Sequence, residues 1–312
     1  MSGRTKKFCG KFHRGLCHPK LWLSWVGVSI LFLFGQLPAK IREPIACLLA
    51  KFVMVIAKKP LRIARANLSA CFPEKSEFEV DELLKENVSH FVMTMLGQAE
   101  LLCSSEKKIK QRVKLSGAEH IAKARMKGKS IIFISPHVWG VEYAGLRLNL
   151  ELPMVAMAKP HRNALFNWFS VRMRSSLGGE VFNREAGIRT LVGQLKKGNS
   201  FFYLPDEDLG PKKSVFAPFF ATVKATLPVV GRLAQAGNAE VLPVAMGYNC
   251  KSHQFELTIK EACNLNSVEC KQSEALALNK MIEETIREHP EQYMWFLKVL
   301  KTRPEGAQSV YS

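Results

Sequence analysis

None of the eight cysteines in this 312-residue chain forms a Cys-x2-Cys pair, and none stands near histidines at metal-ligand spacing. The common structural zinc sites are thereby excluded. Cys9, Cys17, Cys47, Cys71, Cys103, Cys250, Cys263 and Cys270 are scattered singly through apolar segments, as in a reduced, cytosol-facing protein. A chain of this length can bury a full core and has no need of a disulfide framework. There is no Gly-x-Ser-x-Gly elbow, so a serine nucleophile of the α/β-hydrolase type has no anchor. Zinc-finger, RNP and helix-turn-helix patterns are missing as well, which argues against nucleic acid as a partner. Between residues 70 and 300 nothing reads as a linker or an internal repeat. Acidic side chains are in deficit, 27 against 45 basic ones, for a net charge of +18. Such an excess favours polyanionic partners: an anionic membrane, an acidic protein or an acidic substrate.

Charge vanishes altogether over residues 21–39, which include Trp22, Trp25 and a run of leucine, valine and phenylalanine. The length is just enough to span a bilayer, and the tryptophans stand like interfacial anchors. No small-x-small cleavage pattern follows, so a signal peptide fits poorly. Arg4, Lys6, Lys7, Lys11, Arg14 and Lys20 precede the run; Lys40 and Arg42 follow it. Basic residues at both ends conflict with a single crossing. A helix dipping into one leaflet, backed by a basic amphipathic stretch at 41–68, satisfies both flanks. The expected organisation is a basic arm (1–20), a hydrophobic membrane-attachment helix (21–39) and one α/β domain (40–312).

Within that domain short apolar runs alternate with helical ones. Strands are expected at 129–134, 154–157, 180–182, 201–204, 240–246 and, at an edge, 255–259. Helices are expected at 141–150, 163–176, 187–197 and 226–236, with long helical patterns at 76–102 and 273–302. This is the alternation of an α/β protein with helices flanking a central sheet. The polar residues of interest fall where these elements meet, at the sheet edge that commonly holds ligand sites. His137 follows the strand at 129–134, and Glu142 opens the next helix. An imidazole beside a carboxylate is the simplest general-base unit. Arg172, Arg174 and Arg184 cluster near the next helix end and strand, where guanidinium groups suit phosphate or carboxylate. The turn Asp206-Glu207-Asp208 follows the strand at 201–204; its acids need cations or a function.

Longer blocks carry a resemblance. His18-Pro19-Lys20-Leu21-Trp22, Asn67-Leu68 with Cys71-Phe72-Pro73-Glu74, Asp206 to Pro211, Phe219 to Pro228, and Pro290 to Trp295 through Lys301-Thr302-Arg303 occur in that order. Together with the His-x4-acid pair they resemble the late acyltransferases of lipid A biosynthesis, related to the glycerolipid acyltransferases. The branch most resembled acylates an already lauroylated, Kdo-bearing precursor and is known for a myristoyltransferase. Val138 and Glu142 depart from that branch's Gly and Asp, which leaves acyl chain and acceptor open. The resemblance implies a glycerolipid-acyltransferase-like mixed sheet. It also implies acyl carrier protein as donor, a lipid A precursor as acceptor, the inner membrane as partner with the catalytic domain facing the cytoplasm, and no cofactor or metal. It carries His137 and Glu142 over as the catalytic pair, and Arg174, Arg184, Asp206 and Asp208 as substrate-binding residues, Asp206 by fixing an arginine. Two alternatives are a glycerolipid acyltransferase and a metal-dependent glycosyltransferase using Asp206-Glu207-Asp208.

Overall fold

The computed structural model of the protein describes residues 7–265 and 270–311; Arg4 and Lys6 of the basic arm lie outside the described residues. Helices come first: α1 (Trp22–Gln36), α2 (Ala39–Ile56), α3 (Lys58–Cys71), α4 (Glu77–Gly97) and α5 (Glu106–Arg112). Strand and helix then alternate through β1 (Val113–Ser116), α6 (Ala118–Met126), β2 (Ser130–Ile134), α7 (Val141–Asn149), β3 (Met154–Ala158), α8 (Ala164–Arg174), β4 (Glu180–Asn183), α9 (Gly187–Lys196) and β5 (Ser200–Tyr203). The chain finishes with β6 (Val215–Phe219), β7 (Thr222–Thr226), α10 (Val230–Gly237), β8 (Ala239–Asn249), β9 (Gln254–Ile259) and α11 (Lys271–Glu288).

Seven strands form one sheet in the order β1-β9-β8-β2-β5-β3-β4. From β8 to β4 neighbouring strands are parallel; β9 runs antiparallel to β8 and carries β1 parallel on its outer side. The fold is therefore α/β with a mixed central sheet flanked by helices. Every residue of β2 is buried, as befits a β-branched run covered on both faces. β6 and β7 pair as a separate antiparallel hairpin.

Three helices depart from the bounds that periodicity predicts: α10 begins at Val230 because Thr226 closes β7, and the other two change at their C-terminal ends. α4 starts where Ser76 accepts from the Glu79 N–H and Glu79 accepts in return from the Ser76 N–H, 2.8 Å away; after Gly97 it tightens into a 3-10 helix over Gln98–Leu102, so the helical stretch reaches 102 as expected. α11 stops at Glu288 and does not reach 302. Pro290 has no N–H to donate and disfavours helical backbone at the residue before it. Most of residues 290–302 is irregular chain that crosses the site described below.

The apolar segment departs further from expectation. α1 has 15 residues, about 22 Å at 1.5 Å per residue, against a hydrocarbon core of roughly 30 Å. Leu37, held extended ahead of Pro38, ends it. No helix among the described residues is long and apolar enough to cross a membrane. The span considered for residues 21–39 is thereby corrected to a short helix packed on the body of the protein. Gly35 sits so close to the chain at Glu100 that a Cβ there would stand 2.8 Å from the Glu100 nitrogen. The Trp25 indole donates to the Leu16 carbonyl at 2.7 Å and packs with Phe12 and Trp168. Behind α1, Arg42 is 1% exposed and pairs with Glu100 at 3.0 Å. Glu100 also takes Arg112 at 3.0 Å and the Tyr143 hydroxyl at 2.7 Å, which ties α2 to α7. The outer sides of α1 and α2 keep Leu23, Leu33, Leu48, Phe52 and Val55 in solvent, Leu23 at 84% exposure.

Candidate active site

Register explains how the central pair meets. β2 and β5 are adjacent and parallel, with Ile134 opposite Tyr203. His137 and Asp206 each lie three residues beyond those partners, so both loops leave the sheet side by side. The Asp206 carboxylate accepts twice from His137: from the backbone N–H at 2.9 Å and from the ring Nδ1 at 2.6 Å. Asp206 is 2% exposed, whereas His137 reaches a cavity wall. An ionised carboxylate can only accept, so the ring proton belongs on Nδ1 and Nε2 keeps its lone pair.

The electrostatics agree with an ionised Asp206. Burial raises its pKa, but the charge of His137, that residue's ring and backbone hydrogen bonds, and Lys224 outweigh burial and leave the carboxyl below its ordinary value. For His137, burial pulls the pKa down and Asp206, by charge and hydrogen bond, more than offsets it, with Glu207 adding and Arg184 subtracting; the net direction is upward. Lys224, buried on β7, faces Asp206 and Asp208; burial lowers its pKa against their pull.

The carboxylate expected to orient His137 is elsewhere. Glu142, in the first turn of α7, grips Arg174 at the end of α8, with Arg174 Nε donating to both of its oxygens at 2.9 and 3.1 Å and Nη2 adding a third contact. The two expected pairings are thus exchanged: Asp206 takes the histidine, and Glu142 takes the arginine. Glu142 and Arg174 still stand beside His137 in the wall of the same cavity. Glu142, followed by burial and their hydrogen bond, governs Arg174, and the net effect raises its pKa.

The other acids of the turn are also occupied. Glu207 pairs with Arg184, which lines the cavity. Asp208 accepts from the Thr302 N–H at 2.6 Å, the Thr302 hydroxyl at 2.7 Å and the Gly210 N–H at 2.9 Å. The structure gives Asp208, expected among the substrate contacts, the work of fixing its own turn to residue 302. Arg172 is exposed and is not part of the cavity wall. Asp206, Glu207 and Asp208 aim at three different partners, and no group of three His, Cys, Asp or Glu among the described residues is arranged to hold a metal ion.

The cavity is about 350 Å³. Its polar end carries His137, Glu142, Arg174 and Arg184; the remainder, lined by residues such as Leu146, Val155, Leu191, Phe201 and Leu233, is mostly apolar, with Asn149 and Glu180 also in the wall. It follows α7 from Val141 past Gly145 to Asn149, with the adjacent strands β3 and β5 forming part of its wall. Gly145 helps keep it open: a Cβ there would just touch the Phe202 ring, at 3.6 Å. Such a shape accepts one slender apolar chain with a reactive head at His137. Sequence reasoning named His137, Glu142, Arg174 and Arg184 but missed the cavity, Tyr203 in its wall and Lys224. The one signal for Lys224 was a lone charge inside an apolar strand pattern.

Comparison with known proteins gives a consistent result. The family described as bacterial lipid A biosynthesis acyltransferase matches residues 9–302. A lipid A biosynthesis acyltransferase of Haemophilus influenzae is 35% identical over 92% of this chain and 90% of its own. The lipid A biosynthesis myristoyltransferase of Escherichia coli is 34% identical over 98% of this chain and 95% of its own. The lauroyltransferase of the same organism is 29% identical over 96% and 98%. Among solved structures, a 1-acyl-sn-glycerophosphate acyltransferase from Thermotoga maritima aligns with 80% of this chain and 98% of its own at 14% identity and a TM-score of 0.38, too low to carry an argument.

Proposed function

This chain belongs to the bacterial lipid A biosynthesis acyltransferase family and is an acyltransferase, and we propose that it moves a fatty acyl chain from an acyl carrier protein thioester to a 3-hydroxyacyl hydroxyl of a Kdo-bearing lipid A precursor. The observation that carries the mechanism is a histidine whose Nδ1 is engaged by a buried carboxylate while its ring lines the head of an apolar cavity. Nε2 takes the proton of the acceptor hydroxyl as that oxygen attacks the thioester carbonyl. The tetrahedral adduct collapses, the C–S bond breaks, and the imidazolium returns its proton to the departing thiolate. An ester and a free thiol result, with no covalent acyl-enzyme. Asp206 holds the tautomer and balances the imidazolium; Glu142 acts beside it by fixing Arg174. Arg174 and Arg184 suit the phosphates or sugar-acid carboxylates of the acceptor.

The apolar cavity suits the acyl chain, and the net charge of +18 suits an acidic carrier protein. Exposed apolar residues on α1 and α2 suit attachment to one leaflet of the inner membrane, with the catalytic domain on the cytoplasmic side. The expected result is a gain of one acyl mass in lipid A from cells carrying the protein, absent with His137→Ala. An unchanged lipid A accompanied by acylation of a glycerolipid would overturn the acceptor assignment.

A further inference from the structure

Residues 290–302 touch both loops of the His137–Asp206 pair. The Met294 N–H donates to the His137 carbonyl at 2.8 Å, and the Trp139 N–H donates to the Gln292 carbonyl at 2.9 Å. Tyr293 bridges Val138 between these bonds, and its buried hydroxyl faces Asp206. Further on, Thr302 holds Asp208 by the two bonds already described, and with it the turn that carries Asp206. One stretch of irregular chain therefore braces the histidine loop and the aspartate loop together.

Irregular chain needs partners for its carbonyls when buried, and two asparagines supply them. Asn87 of α4 donates to the carbonyls of Glu291 and Tyr293, both at 2.7 Å. Asn67 of α3 donates to those of Trp295 and Leu297, at 2.6 and 2.8 Å, and accepts from the Tyr311 hydroxyl at 2.6 Å. Both asparagines are wholly buried. A primary carboxamide carries two N–H donors, and each here serves carbonyls two residues apart on one side of the strap. Aspartate offers no donor when ionised, and leucine offers none at all.

We propose that Asn67 and Asn87 are positioning residues for acyl transfer, holding residues 290–302 as a strap that sets His137 against Asp206. The kinetic part of this proposal rests on His137 being the general base; the geometric part does not. Two measurements on full-length protein keep them apart. The first is kcat and KM for thioester and lipid. The second is the downfield NMR resonance of the proton between His137 Nδ1 and Asp206, assigned by its loss in His137→Gln.

For Asn87→Leu and Asn67→Leu we expect kcat to fall about 10–100-fold, as for small misplacements of a reacting group, with both KM values unchanged and the resonance shifted or broadened. Folded leucine variants that keep kcat and the resonance overturn the proposal. Should the leucine variants fail to fold, Thr302→Val and Tyr311→Phe each remove one hydroxyl from the same bracing and must show the same changes at smaller size, reversed in Thr302→Ser. Wild-type kcat and resonance in both overturn it equally. A disturbed resonance together with full activity in His137→Ala leaves the strap standing and refutes the base assignment instead.

Discussion

Asp206→Asn preserves shape while removing charge, and the geometry predicts a large effect. The two contacts that Asp206 makes with His137 both need an acceptor, one for the backbone N–H at 2.9 Å and one for Nδ1–H at 2.6 Å. Asparagine offers one carbonyl and one NH2. If its carbonyl keeps the backbone bond, its amide donates to Nδ1 and the ring proton moves to Nε2, the atom that must act as base. If its carbonyl keeps Nδ1–H, two N–H groups face each other. A histidine base that loses its orienting carboxylate without change of shape forfeits about 10³–10⁴ in rate, or about 4–5 kcal/mol of barrier. The pH profile gives an independent sign. Burial lowers the His137 pKa and Asp206 raises it above the ordinary value, so the acid limb of kcat/KM in the parent lies above the ordinary histidine range of about 6.5. Without the carboxylate charge, burial prevails and the limb moves to lower pH. The assay is kcat/KM for transfer from an acyl carrier protein thioester across pH 5–9, with folding checked by circular dichroism. A variant with the parental plateau, or a limb displaced to higher pH, would refute the assignment of Asp206 as the partner of His137.

Glu142→Gln should release the Arg174 fork, raising KM for the lipid and lowering kcat about 10–100-fold, less than His137→Ala; kinetics with the intact and dephosphorylated acceptors check it. Gly145→Leu fills the cavity beside Phe202 and should favour shorter donors, each lost methylene contact being worth about 0.8 kcal/mol; a series of thioesters of graded length measures the change. Leu23→Gln, Leu33→Gln and Phe52→Gln together should weaken binding to anionic vesicles without lowering thermal stability, read by flotation and by calorimetry. Transfer should persist in excess EDTA, whereas activity lost there and restored by a divalent cation would return the Asp206-Glu207-Asp208 turn to a metal-binding role.

Much of this site was legible in sequence because its residues sit at strand ends, and strand ends are where periodicity breaks. Ser135-Pro136 after an apolar run announces the end of β2, and the two acids flanking Glu207 announce the end of β5. What one sequence does not carry is the pairing between them. His137 and Glu142 are close in sequence, so they read as partners, yet the helical turn opening at Val141 directs Glu142 toward α8. Asp206 reaches His137 only because β5 lies next to β2, a fact of strand order. The membrane helix misled for a related reason: 21–39 is uncharged throughout, but Leu37-Pro38 ends the helix early. The β6–β7 hairpin escaped because Pro218 and the Phe220 turn interrupt the usual alternation. The strap escaped because its hydrogen-bond partners, Asn67 and Asn87, lie more than 200 residues away.

The alignment of Ile134 with Tyr203 also bears on how the chain acquires activity. His137 and Asp206 are 69 residues apart, and between them run two further strands of the same sheet, β3 and β4. β3 itself pairs with β5, so the aspartate loop is fixed only once strands distant in the chain have been inserted in order. Parallel pairings of this kind are non-local and slow to form compared with helices and hairpins. A compact intermediate with its helices formed would therefore carry His137 without a competent partner and would be catalytically silent. Recovery of acyl transfer after dilution from denaturant then becomes a clock for completion of the central sheet. It should lag behind the return of helical signal, and the lag should lengthen with substitutions that weaken β3 or β5 and leave α4 untouched.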